Sequence, residues 1–305
     1  MLQSKENRVK IEGILSEIDL KPGSFKKNGQ EVNSIGGSIK IRVNQKLPSG
    51  EVQELEIPVH MFASELTNKG TTNPAYESIA RVMNEYTSIA AAGIDAADRV
   101  RITSGSINMN EYYGQGGNLV SFPRINASFI TKVKREEYKP EATFSVVFMI
   151  GSKGFATDKD GVEIPDRYKI GAVLPQYGGK VDVIEFLATS QGVIDATSNY
   201  WNVGDTVKAN GRLNFTSRTE TTLTEVDFGE PKEETRTISV SELIITGGSS
   251  TPLEGEFAFD QDEVQAALKE RQARLAEMKE NSKNKGKAGK APAAESANKF
   301  KDLGF

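Results

Sequence analysis

The stretch 201-WNVGDTVKANGRLNF-215 reads as a tight turn at Gly204-Asp205 that launches a strand through Val207, Ala209 and Leu213, with Gly211 midway along it. A worn copy, 95-DAADRVRITSGSINM-109, lies earlier in the chain. Asp98-Arg99-Val100 answers Asp205-Thr206-Val207, and Gly105 answers Gly211 with one residue of slip. A further echo sets "INASFI" at Ile125 against "ISVSEL" at Ile238. Short echoes in the same order, inside segments of the same inferred topology, indicate a tandem repeat.

Working outward, the segment from Asn7 to Arg135 is strand-like with one helix inside it. "NRVKIEGILSEIDL", "GGSIKIRVNQ" and "VQELEIPVHMF" alternate apolar and polar residues and predict three half-buried strands. "TNPAYESIARVMNEYTSIAAAG" predicts one helix, with Asn73 as N-cap, Pro74 at its first position and Gly93 as its end. Two strands follow, "DRVRITSGSINM" and "RINASFITKVKR", around the glycine-rich loop "NEYYGQGGNLVSF". From Pro140 to Gly248 the order recurs: strands in "ATFSVVFMIG", "RYKIGAVLP" and "KVDVIEFLAT", a helix in "QGVIDATSNYW", then "GDTVKANGRLNF" and "TRTISVSELIITGG". The expected units are 5–137, 140–248, a linker with a helix at 249–282, and a tail at 283–305. In the third, Asp260 and Glu263 form a capping box ahead of an apolar stripe, Val264, Ala267, Leu268, Leu275 and Met278, broken by Arg271. That helix reads equally as one docked on the body or one that binds a partner. The Lys, Ala and Gly composition of the tail predicts a disordered tether with a hydrophobic tip, Phe300, Leu303 and Phe305.

Composition narrows the function. An apolar fraction of 37% over 305 residues suits packed cores. No apolar run nears the roughly 20 residues of a membrane helix, and no hydrophobic segment follows the charges of "MLQSKENRVK", so the expectation is a cytoplasmic protein with no membrane partner. The chain has no cysteine and a single histidine, His60, which excludes disulfides, thiol nucleophiles and paired-histidine metal sites. "GQGG" and "GSKG" lack the spacing of nucleotide-binding loops, and "DKDG" at Asp158 reads as a hairpin turn. No enzyme, metal or cofactor is expected. The net charge of −4 opposes nucleic-acid binding unless the basic residues gather on one surface.

Three strands, a helix and two strands, with a Gly-Asp start and a glycine within the fourth strand, resemble the OB-fold, a five-stranded barrel that binds oligonucleotides through its second and third strands and nearby loops. Glycine suits a strand that bends sharply round a small barrel. Two such units and a tipped tail resemble tandem-OB single-stranded DNA-binding proteins, particularly those of bacteriophages. That resemblance implies a mainly β fold of two tandem OB barrels, and a noncatalytic protein protecting single-stranded DNA in replication or recombination, in the host cytoplasm if of phage origin. It also implies docking of replication or recombination enzymes on the tail tip, although Asp302 is the lone acid there and Gly304 stands where such tails carry proline. Protein scaffolding and single-stranded RNA binding remain open alternatives.

Sequence-tolerant binding of a single strand needs cations along the phosphates and aromatic faces for the bases. In the first unit these are Phe25, Lys26 and Lys27 in the loop between strands one and two, Lys40 and Arg42 on strand two, and Tyr112, Tyr113 and Phe122 in the loop between strands four and five. In the second unit they are Lys153, Phe155, Arg167, Lys169, Tyr177 and Lys180, with Arg212 and Arg218 beside the last long loop. Tyr168, Trp201 and Phe215 are assigned to the core, and His60 to packing at a strand end.

Overall fold

The computed structural model describes residues 2–27, 29–47, 49–114, 117–224 and 232–288; for 218–224, 232–238 and 283–288 only the backbone is described. The tail from 289 onward, including Phe300, Leu303 and Phe305, lies outside the described residues.

The chain is mainly β and folds into two OB barrels. The first consists of β1 (Asn7–Lys27), β2 (Gln30–Lys46), β3 (Val52–Ser64), β4 (Arg99–Tyr113) and β5 (Leu119–Asn126). β1 pairs with β2 and β2 with β3, both antiparallel; β3 meets β5 in parallel at Val59 and Ile125; β5 pairs with β4, and β4 returns to β1. β6 (Thr131–Lys132) adds a short pairing to β4. The second barrel repeats the circuit with β7 (Glu141–Thr157), β8 (Glu163–Pro175), β9 (Val181–Ala188), β10 (Thr206–Thr224) and β11 (Lys232–Gly248), its parallel contact falling at Leu187 and Ile244.

The quoted repeat occupies equivalent places. Leu15 N donates to Asp98 O, and Ile150 N to Asp205 O, each at 2.9 Å. The two carboxylates also do the same work: Asp98 accepts from Thr87 N at 2.8 Å and Asp205 from Asn202 N at 2.7 Å, each tying down the approach to a fourth strand. Gly105 faces Val9 and Gly211 faces Phe144, so Val9 and Phe144 are equivalent; they also pair with each other where β1 meets β7. An approximate two-fold axis therefore passes through this pair, and the two barrels share one 11-stranded sheet. The echo of Ile125 with Ile238 does not survive: Ile125 and Leu243 hold corresponding interior positions, while Ile238 sits farther out, opposite Arg218.

Alternation sends Ile39, Ile41, Leu55, Ile57, Val100 and Ile107 into the first barrel, which α1 (Pro74–Glu85) closes with Ile79 and Val82. Asn73 caps α1, its side chain accepting from Ala75 N at 3.1 Å. The helix stops at Glu85 and a separate turn, α2 (Ile89–Ala92), ends at Gly93, where one continuous helix was expected. Asp98 explains the break, because its side chain and backbone take the N–H and C=O of Thr87 that a continuous helix would use. The second barrel encloses Phe144, Phe148 and Phe186 with Trp201, under α3 (Gln191–Tyr200).

Both long hairpins of the first barrel differ from expectation. β1 remains paired to Lys27 and β4 to Tyr113, so Phe25, Lys26, Lys27, Tyr112, Tyr113 and Phe122 lie on strands rather than in loops. β5 begins at Leu119 and ends at Asn126, ahead of most of "RINASFITKVKR". Arms that project beyond a barrel pair by backbone alone and need no inward apolar row, so they lack the alternation that marks a half-buried strand.

Beyond the barrels, α4 (Gln261–Ala288) starts at Asp260, whose carboxylate accepts from Glu263 N at 2.9 Å. Phe259, Val264 and Ala267 bury against Leu2, Val147, Met149, Val173 and Val181 on the outside of the second barrel. Each larger apolar side chain so buried contributes about 1.5–3 kcal/mol. Arg271, which broke the stripe in the sequence, forms an ion pair with Glu111 of the first barrel, their side chains 14% and 7% exposed. Among the described residues no helix is long and apolar enough to cross a membrane.

Candidate nucleic-acid interface

The two-fold arrangement folds the hairpin of each barrel over the second and third strands of the other. Hydrogen bonds fix both crossings. On one side Met109 N donates to Asp182 at 3.0 Å, and the Gln176 carboxamide donates to Ile107 O and to Asp182, each at 3.0 Å. On the other side Gln53 donates to Asn214 at 2.7 Å and accepts from Arg212 at 3.3 Å.

Each crossing leaves a cleft of about 500 Å³. One sets Arg167, Lys169 and Glu185 of the second barrel beneath Met109, Ser121 and Pro123 of the β4–β5 hairpin. The other sets Lys40, Glu56 and Pro58 beneath Thr216, Ser217 and Val240 of the β10–β11 hairpin. Their cations are largely spent on neighbouring acids. Arg167 pairs with Glu242, Lys169 with Glu185 at 3.2 Å, and Lys40 with Glu17 at 2.6 Å, the last hydrogen bond holding the ammonium above its usual range. Arg42 lies 3.8 Å from Glu54 and 4.0 Å from Glu56.

The remaining candidates scatter. Phe25 sits at the far end of β1, its ring 6.4 Å from that of Phe62, while Lys27 bonds Asn68 at 2.6 Å; Lys26 is exposed beside them. Tyr112 and Phe122 stack edge to face at 6.4 Å on the β4–β5 hairpin, and Lys279 of α4 lies 6.0 Å from the ring of Tyr113. Phe155 stands edge-on to Tyr168 at 5.0 Å. Lys153 points to the C-terminal end of α3, donating to Ser198 O and Trp201 O, where a cation meets the helix dipole. Tyr177 is 98% exposed. Arg218 lies on β10 within the stretch whose side chains are outside the description. Tyr168, Trp201 and Phe215 are buried core residues.

A second concavity escaped the sequence reading. On the outer face of the first barrel the paired rows Ser106–Asn126 and Asn108–Arg124 floor a groove. One end, about 510 Å³, reaches His60, Phe62 and Phe129; the other, about 430 Å³, reaches Tyr177, Lys180 and Arg274. Phe62 and Phe129 are half exposed. Burial, and then the Arg124 charge, hold His60 below the usual histidine range, against a backbone hydrogen bond to Gly37 that raises it. Burial pushes Asp182 up, and the Met109 N–H partly offsets this. The signal was present: Ser104, Ser106, Asn108 and Asn110 alternate on β4, and Arg124 and Asn126 on β5, giving a polar face. What sequence could not supply was the arrival of Tyr177, Lys180 and Arg274 from the other barrel and from α4.

Two solved structures of the single-stranded DNA-binding protein from Thermus aquaticus are similar to this chain. The wild type aligns at a TM-score of 0.49 and 12% identity, covering 82% of this chain and 94% of that one. A deletion mutant of the same protein aligns at 0.46 and 12%, covering 84% and 97%. No curated protein matches the sequence. Residues 5–281, from just ahead of β1 to the later turns of α4, match the family model described as YorF, and the chain, barrels and helix together, belongs to the YorF family.

Proposed function

We propose that the chain binds single-stranded DNA without catalysis and protects exposed strands during replication or recombination. The observation that carries this reading is the pairing of two OB barrels in one sheet, with large aromatic side chains left in solvent on their surface. Phe25, Tyr112, Phe122 and Tyr177 are all exposed. Large aromatics kept on a surface present faces on which bases stack, each stack contributing about 1–3 kcal/mol. Among the described residues no three His, Asp or Glu side chains gather as a metal set. A protein-binding scaffold is the second reading, and it draws on the acid partners of Lys40, Arg167 and Lys169, which leave both clefts close to neutral.

Titration of a fluorescein-labelled oligo-dT against the full chain, followed by anisotropy at several salt concentrations with duplex DNA and oligo-rU as competitors, tests the proposal. Salt-sensitive binding that duplex competes for poorly is expected. Absence of binding at low salt overturns it in favour of the scaffold, and preferential displacement by oligo-rU reassigns the ligand to RNA.

A further inference from the structure

We infer that the main track for a single strand is the groove on the outer face of β4 and β5, running from Phe62 and Phe129 to Tyr177 and Arg274, rather than the two clefts beneath the hairpins. This rests on the single-strand reading above and assigns it a path. Charge decides between the concavities. The clefts match Lys40 with Glu17, Arg167 with Glu242 and Lys169 with Glu185. The groove brings together Arg124, Lys180 and Arg274, and among the described residues none of the three forms an ion pair. The Arg124 guanidinium makes one long bond, from Nη1 to Asn110 Oδ1 at 3.3 Å, with a neutral partner, so its charge stays available. Among the described residues the one acid lining the groove, Asp182, is buried, accepts from Met109 N and from Gln176, and has its carboxyl pushed up by burial. A polyanion therefore meets net positive charge here and near neutrality in the clefts.

The ends of the groove supply the other requirement. Phe62 and Phe129 stand 54% and 50% exposed at one end and Tyr177 98% exposed at the other. Between them Ser106 and Asn126 both donate to Asn108 Oδ1, which leaves the Asn108 amide as donor and the Ser106 oxygen as acceptor for a base edge, without selecting one. Aromatic, polar-basic, aromatic is the sequence of surfaces along which a single strand alternates stacked bases with phosphates. The groove is built from both barrels and from α4, so it forms only in the assembled chain.

Oligo-dT affinity and its salt dependence discriminate the two paths. In the full chain, Lys180→Ala with Arg274→Ala is expected to flatten the slope of log affinity against log salt by about 1.4, at roughly 0.7 per phosphate contact on a single strand. Tyr177→Ala, at a fully exposed site that cannot disturb folding, is expected to weaken binding about tenfold. Lys40→Ala with Lys169→Ala should leave the slope near that of the unmodified chain. The inference is overturned, and the function retained, if the cleft pair flattens the slope while the groove variants bind normally. If the unmodified chain binds no oligo-dT at low salt, the function itself falls and the path with it.

Discussion

In the first barrel the strand that starts at Asp98 bends at Gly105 over the side chain of Val9; in the second, the strand from Asp205 bends at Gly211 over the ring of Phe144. The interior explains how differently these two glycines are held. The first barrel is filled by isoleucine, leucine, valine and methionine, and a Cβ added at Gly105 would lie 3.3 Å from Val9 and from Ile102. The second is filled by a ring stack, Phe148 on Phe186 at 5.0 Å and Phe144 at 5.4 Å from Phe186. A Cβ at Gly211 would lie 2.2 Å from Phe144 Cζ and 2.2 Å from Ile244 O, a ring and a backbone atom that cannot both retreat. One bend is eased by glycine and the other requires it, so the shared residue reflects two different pressures.

Substitution breaks this comparison most sharply. Gly211→Ala is expected to destabilise the protein by about 3 kcal/mol, at the upper end for overpacking, and Gly105→Ala by less than about 1 kcal/mol. Urea unfolding measures both. Equal costs would mean that strand curvature, not the aromatic filling, selects the glycine.

The outsides of the barrels differ as well, since α4 buries its apolar residues on the second and reaches the first through charged ones, Arg271, Arg274 and Lys279. Arg271→Ala leaves Glu111 buried without its cation. Removing one partner of a buried pair costs about 3–5 kcal/mol; with Arg271 still 14% exposed, about 2–3 kcal/mol is expected. Hydrogen exchange should rise in the later turns of α4 and along the β4–β5 hairpin, while the start of the helix, anchored by Val264, stays protected. Uniform loss of protection along α4 would show that the helix docks as one unit and that the pair does not act locally.

What the sequence made legible follows from what each residue answers to. Asp98 and Asp205, the inward isoleucines of β2 and the cap at Asn73 answer to their own strand or helix, and periodicity exposes them. Arg271 answers to Glu111, 160 residues away in the chain, and in the sequence it is only a flaw in an apolar stripe. Lys153 looked like a groove cation, yet its chain position says nothing of the α3 carbonyls that hold it. The hairpin arms read as loops because no core disciplines their pattern. The polar face of β4 and β5 was visible as alternation, but its meaning depends on residues delivered by the other barrel.

The smallest contrast lies at one equivalent position. Counting across the pairings Leu15–Ile41–Ile57 and Ile150–Ala172–Ile184 makes His60 the counterpart of Leu187. Leu187 is buried opposite Ile244, whereas His60 is half-buried opposite Asn126 on the groove wall, beside Arg124. Burial and that guanidinium disfavour the imidazolium, so the folded chain binds this proton more weakly than the unfolded chain, whose histidine titrates near 6.5. The contribution of His60 is thus fully present above pH 6.5 and is lost as pH falls through the lower folded value. Asp182, raised from 3.8, carries the opposite sign, its contribution declining as pH rises through its folded value, so the total profile mixes the two. A His60→Leu variant, which installs the second barrel's residue, isolates the histidine by difference. Between pH 7 and about pH 5.5 the unmodified chain should lose stability relative to the variant, measured by urea unfolding at each pH. A flat difference would place His60 in an environment no more hostile to charge than water, and would remove the distinction between the groove wall and its apolar counterpart.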